Sequence, residues 1–116
     1  MGYRELAVYE KSYRATLEIY RLSEKFPERD RYGMSDQIRR AAMSIPLNIA
    51  EGYGKRKSAA EFKRYLRMAM GSANEVQVLL DFAEDLGYAG SEASREQKAR
   101  YEEIGKMLYG LIQAVK

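Results

Sequence analysis

The sequence predicts an all-α protein, an antiparallel four-helix bundle forming one domain over residues 1–116, and three observations predict it. Apolar residues recur at helical spacing through nearly the whole chain, with only two prolines and few β-branched residues among 116. Turn residues cut this pattern into four runs. The connectors are short, which sets consecutive helices antiparallel. The length allows one modest core, which an apolar fraction of 46% can fill.

The first helix is expected from about Glu5 to Lys25, ended by Phe26-Pro27. A polar connector, residues 28–33, follows. The second helix runs from Met34 to Tyr53 and stops near Gly52 and Gly54. Ser58-Ala59-Ala60-Glu61 reads as a capping box that starts the third, and Gly87 suits the left-handed residue that ends it after Leu86. Ser94-Arg95-Glu96-Gln97 matches a second capping box, so the fourth helix is expected from Ser94 to Val115.

Two helices carry one ordinary core stripe each. In the fourth it is Tyr101, Ile104, Leu108, Leu111, Ile112 and Val115. In the third it is Phe62, Tyr65, Leu66, Ala69, Ala73, Val76, Leu80 and Ala83, with Met68, Val78 and Phe82 lying off it. The first helix differs. Val8, Ala15, Ile19, Leu22 and Phe26 make a core face, and Leu6, Tyr9, Tyr13, Leu17 and Tyr20 make a second face beside it. Together they span about 220° of the helical wheel, roughly twice what one buried stripe needs. Tyrosine joins apolar area to a hydroxyl and is common at interfaces, so this face is expected to meet another subunit.

In the second helix, Met34, Ile38, Ala41, Ala42, Ile45, Ile49 and Tyr53 keep helical spacing across Pro46. The helix is therefore expected to continue through the proline with a kink, leaving the Ala42 carbonyl without its amide donor. Gln37, Arg40, Ser44, Asn48 and Glu51 form a polar stripe on the same helix. Such a stripe is either a hydrogen-bonded seam, within the bundle or at a subunit contact, or a binding line. The seam is the favoured reading, because buried polar groups must find partners.

Composition narrows the chemistry. The chain has no histidine and no cysteine. The commonest general base, the Glu-x-x-His pairs of di-iron bundles and Cys/His zinc sites are all missing. No cofactor and no enzymatic activity are expected. No apolar run approaches the roughly 18 residues that span a membrane, no secretory h-region opens the chain, and the absence of cysteine fits a cytoplasmic protein.

Charge is uneven. Residues 1–70 hold 15 Lys/Arg against 9 Asp/Glu, net +6, while residues 71–116 hold 5 against 8, net −3. Arg39, Arg40, Lys55, Arg56, Lys57, Lys63, Arg64 and Arg67 concentrate the positive charge, and Lys55-Arg56-Lys57 sits just before a helix N-terminus. A phosphate backbone is the obvious polyanion for such a patch. The footprint expected for nucleic acid is Lys55, Arg56, Lys57, Lys63, Arg64 and Arg67, with Arg39 if its side chain is exposed. Gly52-Tyr53-Gly54-Lys55 lacks the spacing and the preceding strand of a P-loop, which argues against nucleotide hydrolysis.

With Leu6-Ala7-Val8-Tyr9, Phe26-Pro27, Tyr32-Gly33-Met34 and the run from Gln37 to Gly52, the chain resembles the four-helix-bundle proteins encoded within intervening sequences of bacterial 23S ribosomal RNA genes. Leu6-Ala7-Val8-Tyr9 is similar to that family's Leu-x-Val-Trp opening, with tyrosine in place of tryptophan. Phe26-Pro27 and Tyr32-Gly33-Met34 match its first connector, and Gln37 through Gly52 carries its signature, with Arg39-Arg40-Ala41-Ala42, Ser44-Ile45-Pro46 and Asn48-Ile49-Ala50-Glu51 in place. Glu61-Phe62, Gly71-Ser72, Glu75 and Leu86-Gly87-Tyr88 continue the match. The resemblance implies a left-handed up-down-up-down bundle assembled as a ring-like homo-oligomer, a pentamer. It also implies kinship with the accessory variability determinant of diversity-generating retroelements, a basic bundle that associates with nucleic acid. The function expected is therefore a homo-oligomer that binds nucleic acid, RNA first and DNA second. The alternative is a scaffold for a protein partner without nucleic-acid contact.

Overall fold

Four helices carry the chain in the computed structural model, which describes residues 2–116: α1 (Ala7–Ser23), α2 (Asp36–Gly54), α3 (Ala59–Asp85) and α4 (Ser91–Ala114). There is no strand among the described residues. At 1.5 Å per residue α3 is about 40 Å long, which accounts for the long axis of a molecule measuring 44 × 23 × 20 Å. α2 packs between α1 and α3, and α4 packs on α3 and α1, so the four close around one core with α1 and α3 on a diagonal.

The core is drawn from the expected stripes. All eight α3 positions are buried, joined by Leu79, and so are Tyr101, Ile104, Leu108 and Ile112 of α4. Val8, Ala15, Ile19 and Phe26 fill the α1 side, and Ile38, Ala41, Ala42, Ile45 and Ile49 fill the α2 side. Leu22, Met34, Tyr53, Leu111 and Val115 pack at the edge, half-buried.

Helix ends follow local chemistry. Ser58 Oγ accepts the Glu61 amide at 3.2 Å and opens α3. The reciprocal half of that capping box is not made, because the Glu61 carboxylate takes the Arg64 guanidinium instead, at 3.0 and 3.3 Å. Gly87, at φ 77°, closes α3. The Tyr88 amide reaches the Ala83 carbonyl at 2.8 Å and the Gly87 amide reaches that of Glu84 at 3.0 Å, the paired bonds of a Schellman motif. α1 starts at Ala7 after a 3-10 turn over Tyr3–Glu5, two residues later than the apolar pattern suggests, and ends at Ser23, two residues early.

α4 departs further from expectation. It begins at Ser91, with Gly90 at the N-cap, so Ser94 is not a cap. Its amide bonds back to the Gly90 carbonyl at 3.0 Å, and its side chain is buried in the first turn. The Ser-x-x-Gln pattern is there, but core burial rather than capping accounts for it.

The proline in α2 is accommodated. The helix runs on through Pro46 to Gly54, and the freed Ala42 carbonyl accepts the Thr16 hydroxyl of α1 at 3.1 Å. Thr16 also faces its own Ser12 carbonyl at 2.7 Å, so one hydroxyl hydrogen serves both acceptors. Nearly two turns beyond the proline, α2 comes so close to α3 that a Cβ at Gly52 would lie 2.7 Å from Tyr65 Cβ. Only glycine fits there.

The remaining connectors meet. Asp30 accepts the Met34 amide at 3.3 Å with one carboxylate oxygen and the Tyr88 hydroxyl at 2.9 Å with the other. Phe26 and Tyr88 pack ring against ring at 5.6 Å. The link between α1 and α2 is thereby joined to the link between α3 and α4. The Tyr88 phenol is held above its usual pKa, first by the bond to Asp30 and then by burial.

Candidate functional site

The basic connector is a tight turn. Amides of Lys55 and Ser58 bond to the Gly52 and Lys55 carbonyls, each at 3.0 Å, which turns the chain from α2 into α3. Lys55, Arg56 and Lys57 are all exposed. Arg56 lies over the Tyr53 ring at 4.1 Å and donates to the Tyr53 carbonyl at 3.0 Å. Lys55 and Arg64 share the Tyr65 ring, at 5.4 and 4.6 Å. Cations resting on ring faces are held in place with their charge still facing solvent. Lys63 is half-buried and Arg67 is exposed, both on the opening turns of α3. Arg64 brings its own counter-ion, since its pairing with Glu61 holds that carboxyl below the usual carboxylate range.

Arg39 does not belong to this surface. It is half-buried, donates to Ser23 Oγ at 2.6 Å and to the Tyr20 carbonyl at 3.3 Å, and its guanidinium covers the Tyr20 ring at 4.9 Å. Arg39 thus reaches from α2 to the last turn of α1, where it adds to the Glu24 amide that the Tyr20 carbonyl already accepts at 3.2 Å. Sixteen residues of helix, about 24 Å, separate it from Lys55.

The polar stripe of α2 is mostly a seam with α3. Gln37 donates to Glu75 at 3.4 Å, Ser44 to Ser72 at 2.6 Å, and Tyr65 donates to Glu51 at 3.1 Å. Arg40 turns to Asp36 and Asn48 to the Ser44 carbonyl, each within α2. All five have partners.

The second face of α1 divides. Tyr13 and Leu17 are exposed, and with the half-buried Tyr9 and Tyr20 they form one wall of a groove whose other wall is Met43 and Leu47 of α2. The groove encloses about 460 Å³, and Thr16 and Pro46 also line it. Leu6 lies just before α1 and instead lines a shallow dip with Met107 and Leu111 of α4. The helical wheel places it correctly by angle, but the chain has not yet entered the helix there.

No local sequence pattern marks the polar atoms inside the core. Ser94 Oγ, Gln97 Oε1 and the Tyr101 hydroxyl of α4 are buried with no hydrogen-bond partner among the described residues. Burial pushes the Tyr101 phenol well above its ordinary pKa. Glu18 adds to that, and Thr16 and Arg100 oppose it. No group of His, Cys, Asp or Glu suited to a metal occurs among the described residues. No helix among them is long and apolar enough to cross a membrane.

The comparisons agree with this architecture. The crystal structure of a protein with unknown function from the S23 ribosomal protein family of Bacteroides thetaiotaomicron is 30% identical over 91% of this chain and 98% of that one, with a TM-score of 0.83. No curated protein matches the chain. A family model described as 23S rRNA-intervening sequence protein matches residues 4–110, taking in all of α1, α2 and α3 and most of α4. With that match running through nearly the whole chain, the protein belongs to the 23S rRNA-intervening sequence protein family.

Proposed function

We propose that this protein is a non-catalytic, cytoplasmic homo-oligomer, a ring of up-down-up-down bundles with five subunits, that binds nucleic acid, RNA first, through the connector between α2 and α3. The observation that carries the reading is Lys55-Arg56-Lys57. Three consecutive exposed cations make no ion pair among the described residues, and Arg67 and the half-buried Lys63 extend the patch. Such residues meet phosphates and release counterions. The resemblance to the accessory variability determinant of diversity-generating retroelements supports the same class of partner. The Asp30–Tyr88 bond favours the up-down arrangement, because it brings the first and third connectors together while the basic connector stands apart. The exposed Tyr13 and Leu17 favour self-association.

The test is a titration of mixed-sequence single-stranded RNA at several salt concentrations. Wild-type affinity falls steeply with salt. The Lys55→Ala, Arg56→Ala, Lys57→Ala triple variant binds more weakly and lowers the log–log salt slope by about 2. Binding that ignores salt, or a triple variant that matches wild type, refutes the assignment.

A further inference from the structure

α3 carries on its outer side the counterpart of the α1–α2 groove. Val78, Phe82 and Leu86 are 52%, 55% and 54% exposed. They stand at i, i+4 and i+8, a single ridge about 12 Å long. Groove and ridge are separate surfaces, because α3 lies diagonally across the core from α1. One copy cannot bring its own ridge to its own groove.

Charge favours the pairing. Residues 71–86 hold Glu75, Asp81, Glu84 and Asp85 and no Lys or Arg, whereas residues 1–50, which carry both groove walls, hold 9 Lys/Arg against 7 Asp/Glu. Lys98 of α4 answers Asp81 and Glu84 at 2.8 and 3.4 Å. Asp85 lies beside the ridge with no ion pair among the described residues. On the groove side, Arg21 follows Tyr20 along α1 and is exposed, and Arg39 of α2 lies over the Tyr20 ring with no ion pair among the described residues. Opposite fields at two apolar surfaces select this docking over groove against groove, which would set like charges face to face.

We infer that the Val78–Phe82–Leu86 ridge of one copy seats in the α1–α2 groove of a second copy, a head-to-tail contact. The inference rests on the reading that the chain self-associates, and it adds which two surfaces meet. A groove-to-groove contact would leave every ridge in water. A ridge-to-groove contact covers both and, repeated, closes a ring.

Light scattering of two charge variants, alone and mixed, tests it. Leu17→Asp spoils the groove and keeps the ridge; Phe82→Glu does the reverse. Both positions are exposed, and far-UV circular dichroism checks that each variant folds. If Leu17→Asp loses helicity, Leu47→Glu replaces it on the other groove wall. Each variant alone is expected to be a monomer. Mixed in equal amounts they are expected to form a dimer and nothing larger, since one intact ridge and one intact groove remain between them. A Phe82→Glu protein that assembles like wild type overturns the inference while leaving self-association intact, and so does a mixture that stays monomeric. A monomeric wild type defeats self-association itself.

Discussion

At the α1–α2 seam, the carbonyl that Pro46 leaves without an amide partner receives the Thr16 hydroxyl at 3.1 Å. On α4, Ser94 Oγ, Gln97 Oε1 and the Tyr101 hydroxyl are as deeply buried, and no described residue bonds to them. The difference is chemical. A backbone carbonyl belongs to the helix and cannot be dispensed with, so a neighbouring element has to answer it. A side-chain hydroxyl is optional, and an unanswered one lowers stability only by its own desolvation. The α1–α2 side of the core is therefore tightly specified, and the α4 side holds removable strain.

Thr16→Val is expected to cost about 2 kcal/mol in urea unfolding, since it strands the Ala42 carbonyl. In a Pro46→Ala background residue 46 supplies its own amide, so the same substitution should cost well under half as much. Equal costs in the two backgrounds would mean that the bond to Ala42 contributes nothing.

Raising the pH probes the α4 side. The folded protein holds Tyr101 neutral beyond the ordinary phenol range. The unfolded chain starts to release that proton near pH 10, so the neutral phenol's contribution is complete below about pH 10 and is lost as pH rises toward the folded value. Between about pH 9 and about pH 11, Tyr101→Phe should lose stability less steeply than wild type. Parallel slopes would indicate a phenol that titrates freely. The smallest effect belongs to Ser94→Ala, expected to be neutral or stabilising by less than about 1 kcal/mol in the same unfolding assay, because the hydroxyl it deletes has no partner. A clear loss would reveal a partner, such as a buried water, that answers Ser94 after all.

Legibility followed range. The α3 stripe from Phe62 to Ala83 and the caps at Ser58 and Gly87 depend on neighbours within a few residues, and they are readable from the chain alone. So is the continuation of α2 through Pro46, because the apolar spacing survives the proline. The start of α4 misleads, since Gly90 caps it with no side chain and Ser94 and Gln97 imitate a capping box from inside the first two turns. Thr16 meets Ala42 across 26 residues, and no local pattern announces such a bond. Arg39 and Lys55 look alike as sequence. Their fates differ because the open end of α1 lies beside one and solvent beside the other.

The Thr16–Ala42 bond also sets an order of events. α2 cannot complete its own hydrogen bonding at Pro46, and the donor that answers the Ala42 carbonyl comes from α1. A chain made from its N-terminus delivers Thr16 first, and the donor is waiting when the acceptor emerges from the ribosome. Reversing the order of these two helices, as in a permuted chain that starts at α2, would make the proline the weak point of early folding.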